Sequence, residues 1–570
     1  MGAASIAEKM GLYVRTVSRM KPIMVASRLR WRRRVDIAAL SPGPLKATGI
    51  LIPETDLAPA YLERFDVEAS LEGELLLLNE RHRPDFSTWQ VPEASHLWNF
   101  NLHYFEYCIP LAARWRRDRD ECCLEKLKEL IGSWMSACTY PEGDAWHPYT
   151  ISLRLVNWLV CRDLVADALA LDPLFDEAMR RSMYAQYRHL LANQETHLLA
   201  NHYFENLKTL VIFSKLFDEE EAFSRVWRDF EAQLEEQILG DGVHFERSLM
   251  YHKLILEGLL RVARVMEGID GSAPAIVAEK AKAMLDAMAS LENGMGKTPF
   301  FNDAADGVAK ECDQLVAACE TVLGLHPDDS KTDFPDAGYY KLYEGDIAVM
   351  FDAGEPGPSY MLGHAHCDAL SFELSYKGKP VIVNSGTYAY QSELRPYFRS
   401  TAAHNTAQVD GEEQLECWGE HRVGRGIKRV RVLGTRKNGV TASYEACDAV
   451  RHERSILLAN EELQLCDSFD RVGDKLIVAY LHVAPGFTAE VENTALDDAG
   501  ASYMVRIFSR DAEVLFYSKC ELLASFESGF EERLHSSEFG RIEVGNCIKL
   551  TSLENYLSVR VVLPRHMEEA

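Results

Sequence analysis

Residues 363–374, GHAHCDALSFEL, contain two histidines and an aspartate spaced two residues apart. Side chains alternate between the two faces of a β-strand, so a strand here would point His364, His366 and Asp368 the same way. Two imidazoles and a carboxylate on one face can hold a metal ion, transfer a proton or pack in a core. The spacing alone leaves all three interpretations open.

The downstream segment VIVNSGTYAYQSELRPYFRSTAAHNTAQVDG adds further candidates. An HxH pair and a distant third histidine can hold a divalent metal, so His366 and His404 are candidate ligands, with Asn384 at a strand end between them. Arg395 and Arg399 lie in the same segment. Either planar guanidinium could clamp a carboxylate or a sulfate of a substrate.

Two segments earlier in the chain carry further polar groups of this kind. In ANHYFEN, helical spacing places Asn201, His202 and Glu205 within an arc of about 100°. This cluster indicates either a hydrogen-bonded helix start or part of a site, and its HxxE spacing is not the HExxH of zinc peptidases. In DGVHFERSLMYHKL, Tyr251 opens a predicted helix and is either a core residue or a phenol that takes part in chemistry.

The elements that must position these residues change in character near residue 335. Before it, apolar residues recur at helical spacing, which predicts helices over 172–199, 201–217, 251–266 and 279–293. After it, apolar and polar residues alternate between hairpin turns such as Lys437-Asn438-Gly439, which indicates an antiparallel β-sandwich. We predict a basic arm (1–45), an (α/α) toroid (46–330) and a β-sandwich (331–570), with a ligand cleft between the last two.

Charge and composition limit the partners. The 570 residues carry a formal net charge of −26, which argues against a nucleic-acid partner. Residues 1–34 hold nine Lys or Arg and one acid, Glu8, so the arm is either a solvated segment or a weak membrane-surface contact. No signal peptide or long apolar run is evident, and the thirteen cysteines are scattered. We therefore expect a cytoplasmic protein, or a periplasmic or secreted one if the N-terminus is incomplete; the oligomeric state stays undetermined.

Seven segments, in order, resemble the heparinase II/III family of polysaccharide lyases. They are AWHPYTISLRLVNWL (145–159), ANHYFENLKTLVIF, DGVHFERSLMYHKL, FFNDAADG (300–307), GHAHCDALSFEL, VIVNSGTY and YFRSTAAHNTAQVDG. The resemblance implies an (α/α) toroid joined to a β-sandwich. It also implies β-elimination at a uronic acid of an acidic polysaccharide or oligosaccharide, such as heparan sulfate, hyaluronan or chondroitin.

The resemblance also implies roles for individual residues. Asn201 would neutralise the substrate carboxylate, and His202 would assist it or act as a base. Tyr251 would take the C5 proton or protonate the leaving oxygen. His364 would be a second neutralising or basic group. Glu205 matches a glutamate of one branch only.

The family's metal-binding branch implies that His366, Asn384 and His404 hold a divalent ion, zinc or manganese with calcium as a further option, in a structural role. Asn384 departs from the family, because a neutral oxygen stands where a carboxylate is common, and this should either weaken the binding of a divalent ion or change which ion is preferred. No organic cofactor is expected.

Other interpretations stay open. A glycoside hydrolase on the same kind of toroid would need two carboxylates across the cleft, for which Asp303, Glu205 and Asp368 are candidates. An alginate or capsular exopolysaccharide lyase and a non-catalytic polysaccharide-binding protein are further alternatives. Aromatic and arginine side chains are common in carbohydrate clefts, so Trp98, Trp146 and Arg154 are predicted substrate contacts, and Glu205 is a further predicted contact.

Overall fold

The structure is a computed structural model. It describes residues 6–29, 33–47, 49–427, 429–446, 450–470, 472–493, 503–509, 513–518, 522–523 and 534–563. Residues 30–32 of the predicted basic arm lie outside the described residues.

The N-terminal part, from here on the helical part, contains sixteen α-helices within the described residues. They are α1 (Ile6–Arg19), α2 (Pro22–Arg28), α3 (Pro53–Asp56), α4 (Pro59–Leu62), α5 (Val67–Leu71), α6 (His96–Leu102), α7 (Cys108–Asp118), α8 (Glu121–Ala137), α9 (Pro148–Leu164), α10 (Ala166–Ala170), α11 (Pro173–Ala192), α12 (Ala200–Leu216), α13 (Glu220–Gln237), α14 (Leu249–Asp270), α15 (Ala275–Glu292) and α16 (Cys312–Leu323). A short hairpin, β1 (Leu75–Leu77) and β2 (Glu80–His82), lies between α5 and α6.

The remainder, from here on the sheet-rich part, begins with β3 (Asp333–Phe334), β4 (Tyr339–Glu344), β5 (Ile347–Asp352), β6 (Phe372–Tyr376), β7 (Lys379–Ile382), α17 (Arg395–Phe398), β8 (Ala407–Val409), β9 (Cys417–Trp418) and β10 (Arg422–Val423). It continues with β11 (Val430–Arg436), β12 (Gly439–Glu445), β13 (Arg451–Ala459), β14 (Glu462–Asp470), β15 (Ile477–Val483), β16 (Thr488–Asn493) and β17 (Tyr503–Phe508). The last strands are β18 (Glu513–Ser518), β19 (Leu522–Leu523), β20 (Leu534–His535), β21 (Glu543–Val544), β22 (Asn546–Ser552) and β23 (Tyr556–Val562).

Two large antiparallel sheets organise these strands. One has the order β11-β12-β13-β14-β23-β18-β17-β16, and the other has the order β19-β22-β15-β7-β6-β5-β4-β3, with β8 also paired to β15. Buried residues of both sheets, such as Phe351 and Leu481 of one and Ile456 and Val561 of the other, share one hydrophobic cluster. The predicted change from helices to antiparallel strands is therefore confirmed.

The position of the HxH pair corrects one prediction. His364 and His366 do not lie on a strand, because β6 begins only at Phe372 and residues 363–371 form a loop before it. Strand alternation therefore does not orient the two imidazoles. Their directions depend on what each ring contacts.

Packing between the helical and sheet-rich parts fixes their relative position. Val243, Leu249 and Ala287 of the helical part share a buried cluster with Tyr339 and Met350 of the sheet-rich part. Such continuous apolar burial resists relative motion of the two parts. A space left between them is therefore a defined cavity.

Helix termini place two of the predicted site residues. The Ser248 hydroxyl accepts a hydrogen bond from the Tyr251 backbone N–H, which caps α14 and puts Tyr251 in its first turn. Leu199 and Ala200, just before Asn201, have left-handed φ values of 61° and 50°. Such a conformation is costly without glycine and is frequent at functional sites.

Two further findings concern predictions from the sequence. Among the helices that the structure describes, none has the length and apolarity needed to cross a membrane. No disulfide joins cysteines within the described ranges.

Gly296 gives a test of the contact between the two parts. Its φ is +73°, and a Cβ there would lie 1.7 Å from the Gly378 carbonyl oxygen in the turn between β6 and β7. We expect Gly296→Ala to lower the free energy of unfolding by roughly 3 kcal/mol or more. Gly271→Ala is the control, because Gly271 has φ +81° but no neighbour within 4 Å, so only the backbone cost of about 1 kcal/mol applies. Equal urea midpoints for the two variants would contradict this packing.

Candidate active site

A cavity of about 420 Å³ lies between the helical and sheet-rich parts. Five of the predicted site residues line it: Asn201, His202, Glu205, Tyr251 and His364. The structure thus brings together side chains from α12, from α14 and from the loop before β6. Much of the remaining lining is aromatic or aliphatic, which is typical of a ligand site.

Asn201 is oriented by Glu246, a buried carboxylate that the sequence reasoning did not assign. The Asn201 Nδ2 lies 3.1 and 3.0 Å from the two Glu246 carboxylate oxygens, and the Asn201 backbone N–H also donates to Glu246, over 3.2 Å. A carboxylate only accepts hydrogen bonds, so the amide nitrogen rather than the oxygen faces it. The same nitrogen lies 3.3 Å from Nε2 of His364 and can donate its second hydrogen there.

The tautomer of His364 follows from its partner Asp303. His364 Nδ1 lies 2.9 Å from a carboxylate oxygen of Asp303 and donates to it. In the neutral ring, Nε2 then carries the lone pair and accepts from Asn201. The lone pair of His364 therefore faces the cavity residues.

Asp303 binds one arginine and two histidines at once, and the Thr387 hydroxyl donates to it over 3.5 Å. It forms a bidentate ion pair with Arg395 and accepts from His366 Nε2 over 2.8 Å, in addition to its bond with His364. Burial by itself would raise the pKa of Asp303, but the Arg395 guanidinium and the two imidazole N–H groups outweigh it and hold the pKa well below its usual range. Asp303 is thus a fully charged group at the centre of the site.

Tyr251 contacts both His364 and a second tyrosine. Its ring centroid lies 4.4 Å from that of His364, and its hydroxyl lies 2.7 Å from the hydroxyl of Tyr390. Burial, followed by the proximity of Tyr390 and Asp303, raises the pKa of Tyr251 well above its usual range. The phenol therefore keeps its proton, whereas a phenolate base would need a lowered pKa.

His202 and Glu195 form an ion pair beside the cavity. His202 Nδ1 lies 3.1 Å from Oε1 of the fully buried Glu195. Burial lowers the pKa of His202, but the Glu195 charge outweighs it and the net pKa is raised. Burial likewise opposes ionisation of Glu195, yet His202 and neighbouring donors bring its pKa down to about 2. The pair therefore favours an imidazolium beside the cavity.

Two groups of side chains have the chemistry to hold a metal ion. Asp303, His364 and His421 place one ligand atom each within 4.8 Å of one another. Separately, His366 Nδ1 faces His404 Nε2 at 3.1 Å. The oxygen of the predicted third ligand, Asn384, accepts hydrogen bonds from the Ser371 hydroxyl over 2.7 Å and from the Asn405 backbone N–H over 3.1 Å.

Three predicted substrate contacts are buried away from the cavity. Trp98 and Arg154 have no exposed surface, and Trp146 is 5% exposed. Arg154 donates to the Gln186 side chain and to the His103 and Ala145 carbonyls, while each indole N–H donates to a backbone carbonyl. Because their polar groups are satisfied inside the helical part, these three residues stabilise the fold, and we do not propose them as substrate contacts.

Arg395 and Arg399 are also engaged internally. Arg395 is 2% exposed and paired with Asp303, while Arg399 is 1% exposed and donates to the carbonyls of Ala365, Glu420 and Leu362. Neither guanidinium is available to clamp a substrate anion. Of the predicted substrate contacts, Glu205 lines the cavity, where it is ion-paired with Lys208.

Sequence reasoning missed several residues of this site. Glu246 and Glu195 contact Asn201 and His202, and His421 lines the cavity with its ring centroid 5.9 Å from that of His364. The sequence points to Asp303 only as a candidate carboxylate of a glycoside hydrolase. The available signal was its place in FFNDAADG, because a short polar run between apolar residues often marks a functional loop.

Asp303 and Asp306 provide a matched test of the electrostatics. Burial raises the pKa of Asp306 to about 6, so its folded-state charge is unfavourable at pH 7. Asp306→Asn should therefore raise stability at pH 7, and the gain should vanish below about pH 4, where both folded and unfolded carboxyls are protonated. Asp303→Asn leaves Arg395 buried without its counter-charge and should cost about 3–5 kcal/mol. Urea unfolding at both pH values checks this, and changes of the same sign at pH 7 would contradict it.

Comparisons with known proteins identify the family of this chain. Residues 80–334 match the model of the heparinase II/III N-terminus, and residues 326–569 match the heparinase II/III-like C-terminal model. The chain is 22% identical over 419 residues to a heparin-sulfate lyase of Pedobacter heparinus, covering 66% of this chain but only 60% of that relative. This chain therefore spans less than two thirds of the relative's length.

Solved structures share the fold. A heparinase III structure aligns with a TM-score of 0.68 and 14% identity over 95% of this chain and 88% of that one. A mutant heparan sulfate lyase from Pedobacter heparinus aligns with a TM-score of 0.61 and 15% identity over 96% and 88%. Together the two family models span residues 80–569, and on that basis the chain belongs to the heparinase II/III family.

Proposed function

We propose that this chain is a polysaccharide lyase that cleaves a uronic-acid-containing acidic polysaccharide by β-elimination. The observation that carries the proposal is the convergence of Asn201, Tyr251 and His364 on one cavity, with Asn201 Nδ2 3.3 Å from His364 Nε2. The relative named heparin-sulfate lyase supports a glycosaminoglycan-like substrate. The product would carry a 4,5-unsaturated uronate at its new end.

The first requirement of this reaction is to make the C5 proton acidic. A uronate carboxylate resists further negative charge, so it must be neutralised before C5 can lose a proton. Asn201 can donate to that carboxylate through Nδ2, whose direction Glu246 fixes, once the hydrogen that it gives to His364 Nε2 turns to the substrate, which also frees the Nε2 lone pair. The His202 imidazolium, held by Glu195, adds a positive charge on the same side of the cavity.

His364 is the base that the geometry favours. Its Nδ1–H is committed to Asp303, so Nε2 offers a lone pair towards the cavity. When the C5 proton moves to Nε2, the resulting imidazolium lies against the Asp303 carboxylate, which stabilises it. Asp303 thus acts through His364 as a positioning residue and does not itself receive the proton.

Tyr251 is the acid that the geometry favours. Its raised pKa keeps the phenol protonated until a stronger base is generated. The leaving O4 becomes such a base as the C4–O4 bond breaks, and it takes the phenolic proton. Tyr390 donates or accepts at the same hydroxyl and orients it.

The proposed lyase architecture is an (α/α) toroid over residues 46–330 followed by an antiparallel β-sandwich over 331–570, with residues 1–45 as an arm. The helical part, the two sheets with a common core and the cavity between the parts support this division.

We further propose that a divalent ion binds between His366 and His404. His366 Nε2 donates to Asp303 and His404 Nδ1 donates to the Ser400 carbonyl, so in the neutral rings both facing nitrogens carry lone pairs. Burial lowers the pKa of His366 to about 4 and that of His404 to about 3, which disfavours a shared proton. Two imidazole nitrogens suit zinc better than calcium, and the ion would hold the loop that carries His364.

Asp303, His364 and His421 are the less favourable location for this ion. The carboxylate of Asp303 already neutralises Arg395, so a divalent ion there would lie beside an uncompensated guanidinium. Asn384 is also a poor ligand, since its oxygen already accepts hydrogen bonds.

Substitution of Tyr251 tests the lyase. We expect the purified protein to raise the near-ultraviolet-edge absorbance of heparan sulfate, hyaluronan or chondroitin as unsaturated uronate forms. Tyr251→Phe should lower this rate about 10²–10⁴-fold, because it removes the proton donor. Tyr203→Phe is the control, since Tyr203 lies on α12 near Asn201 but outside the cavity lining.

Three outcomes would count against the lyase. No absorbance change across these polymers and alginate, with zinc present, would contradict β-elimination of this substrate class. Chain shortening without absorbance would favour a glycoside hydrolase. Binding without cleavage that survives Tyr251→Phe would favour a polysaccharide-binding protein.

Metal content tests the proposed ion. After incubation with zinc and gel filtration, the unmodified protein should retain about one equivalent by elemental analysis, and His404→Gln should retain at least about tenfold less. His421→Ala and Asn384→Ala should both keep the zinc. Loss in His421→Ala with retention in His404→Gln would instead place the ion at Asp303, His364 and His421.

A further inference from the structure

Helix α1 presents its apolar side chains to solvent. Met10, Val14 and Val17 recur at helical spacing and are 62%, 61% and 44% exposed, while Tyr13 beside them is 49% exposed and packs edge-on against Trp418. A helix at the surface of a globular protein normally turns such a stripe towards the core. This apolar side of α1 therefore faces away from the core.

Polar contacts hold α1 in this orientation. Arg15 pairs with Glu416 over 2.7 Å, and Thr16 and Arg19 donate to the carbonyls of Val423 and Gly424. These three residues lie on the side of α1 opposite Met10, Val14 and Val17. The apolar stripe therefore cannot turn inward without breaking an ion pair and two hydrogen bonds.

The exposed apolar surface continues past α1. Ile23 and Leu29 are 43% and 80% exposed, while Met24 between them is 2% exposed and packs into the core of the helical part. Met24 thus anchors α2 with neighbouring apolar side chains facing outward. We call residues 6–29 the N-terminal face.

The segment that carries this face is rich in basic residues, of which Arg15 and Arg19 face the sheet-rich part and Lys21 pairs with Glu236. Residues 1–34 carry nine Lys or Arg and one acid, so their net charge is 9 − 1 = +8, and the rest of the chain carries −26 − 8 = −34. Partial burial lowers the pKa of Arg28, and the nearby charge of Arg422 lowers it further. Arg422, in the sheet-rich part, therefore adds to the cationic surface. Exposed apolar side chains flanked by concentrated positive charge match an anionic lipid surface.

We propose that the N-terminal face docks on an anionic phospholipid membrane, with the apolar stripe of α1 entering the headgroup region and the flanking Lys and Arg residues contacting lipid phosphates. A second copy of this chain fits less well, because a symmetric contact would bring two +8 segments together. The face lies outside residues 80–569, which match the family models.

Docking would connect a membrane to the cavity. Helix α1 contacts Glu416, Val423 and Gly424, and the turn between β9 and β10 carries Glu420 and His421, which line the cavity. The bound helix would therefore hold one wall of the cavity close to the lipid surface.

Co-sedimentation of the full chain with lipid vesicles tests the proposal. At low salt, vesicles of phosphatidylcholine with about 30% phosphatidylglycerol should pellet the protein, whereas pure phosphatidylcholine vesicles should not. Val14→Asp should lower the partition coefficient of the protein between solution and these vesicles at least about tenfold, because it places a charge in the apolar stripe. Leu171→Asp is the matched control: Leu171 is 88% exposed but lies outside the N-terminal face, so its binding should match that of the unmodified protein.

The outcomes separate the occupants of this face. Equal binding to both vesicle types, no binding to either, or unchanged binding of Val14→Asp would overturn the proposal. A dimer seen by light scattering that Val14→Asp dissociates, without vesicle binding, would assign the face to a second copy. None of these measurements depends on lyase activity, so the docking proposal and the proposed function can fail separately.

Discussion

The buried carboxylate of Asp303 is the group on which the site depends. An isolated charge inside a protein is costly, so it persists only with charged and hydrogen-bonding partners. Arg395 supplies the charge, and His364 and His366 supply one N–H each. Since a carboxylate only accepts, this arrangement fixes the tautomers of both imidazoles. One lone pair then faces Asn201 in the cavity and the other faces His404.

The same carboxylate joins segments far apart in the sequence. It lies on the loop after α15, while its partners come from the loop before β6 and from α17. Hydrophobic packing brings these segments together: a cluster that includes Tyr251, Phe300, Tyr390 and Phe539 lies at the junction of the helical and sheet-rich parts. Apolar burial therefore provides rigidity and low polarity, and within it a few charged pairs acquire defined directions.

Two sides of the molecule use the segment from Glu416 to Gly424. Towards the cavity, its turn provides Glu420 and His421. Towards the N-terminus, its backbone and the Glu416 carboxylate bind the polar side of α1. Because the polar side of α1 is used for this contact, its apolar side is left for the solvent or a lipid surface. The apolar side of α1 thus faces outward because the segment from Glu416 to Gly424 offers polar partners to the other side of the helix.

The sequence by itself determined what depends on local periodicity and residue chemistry. Helical spacing predicted α12 and α14, alternation predicted the strands, and residue types with family resemblance selected Asn201, Tyr251 and His364. Tertiary structure decided everything that depends on partners distant in the chain. Arg154 and Arg395 are predicted from the sequence as substrate contacts, yet each is buried because its donors find internal acceptors. No local pattern encodes that, since solvation and pairing arise only once remote segments pack together.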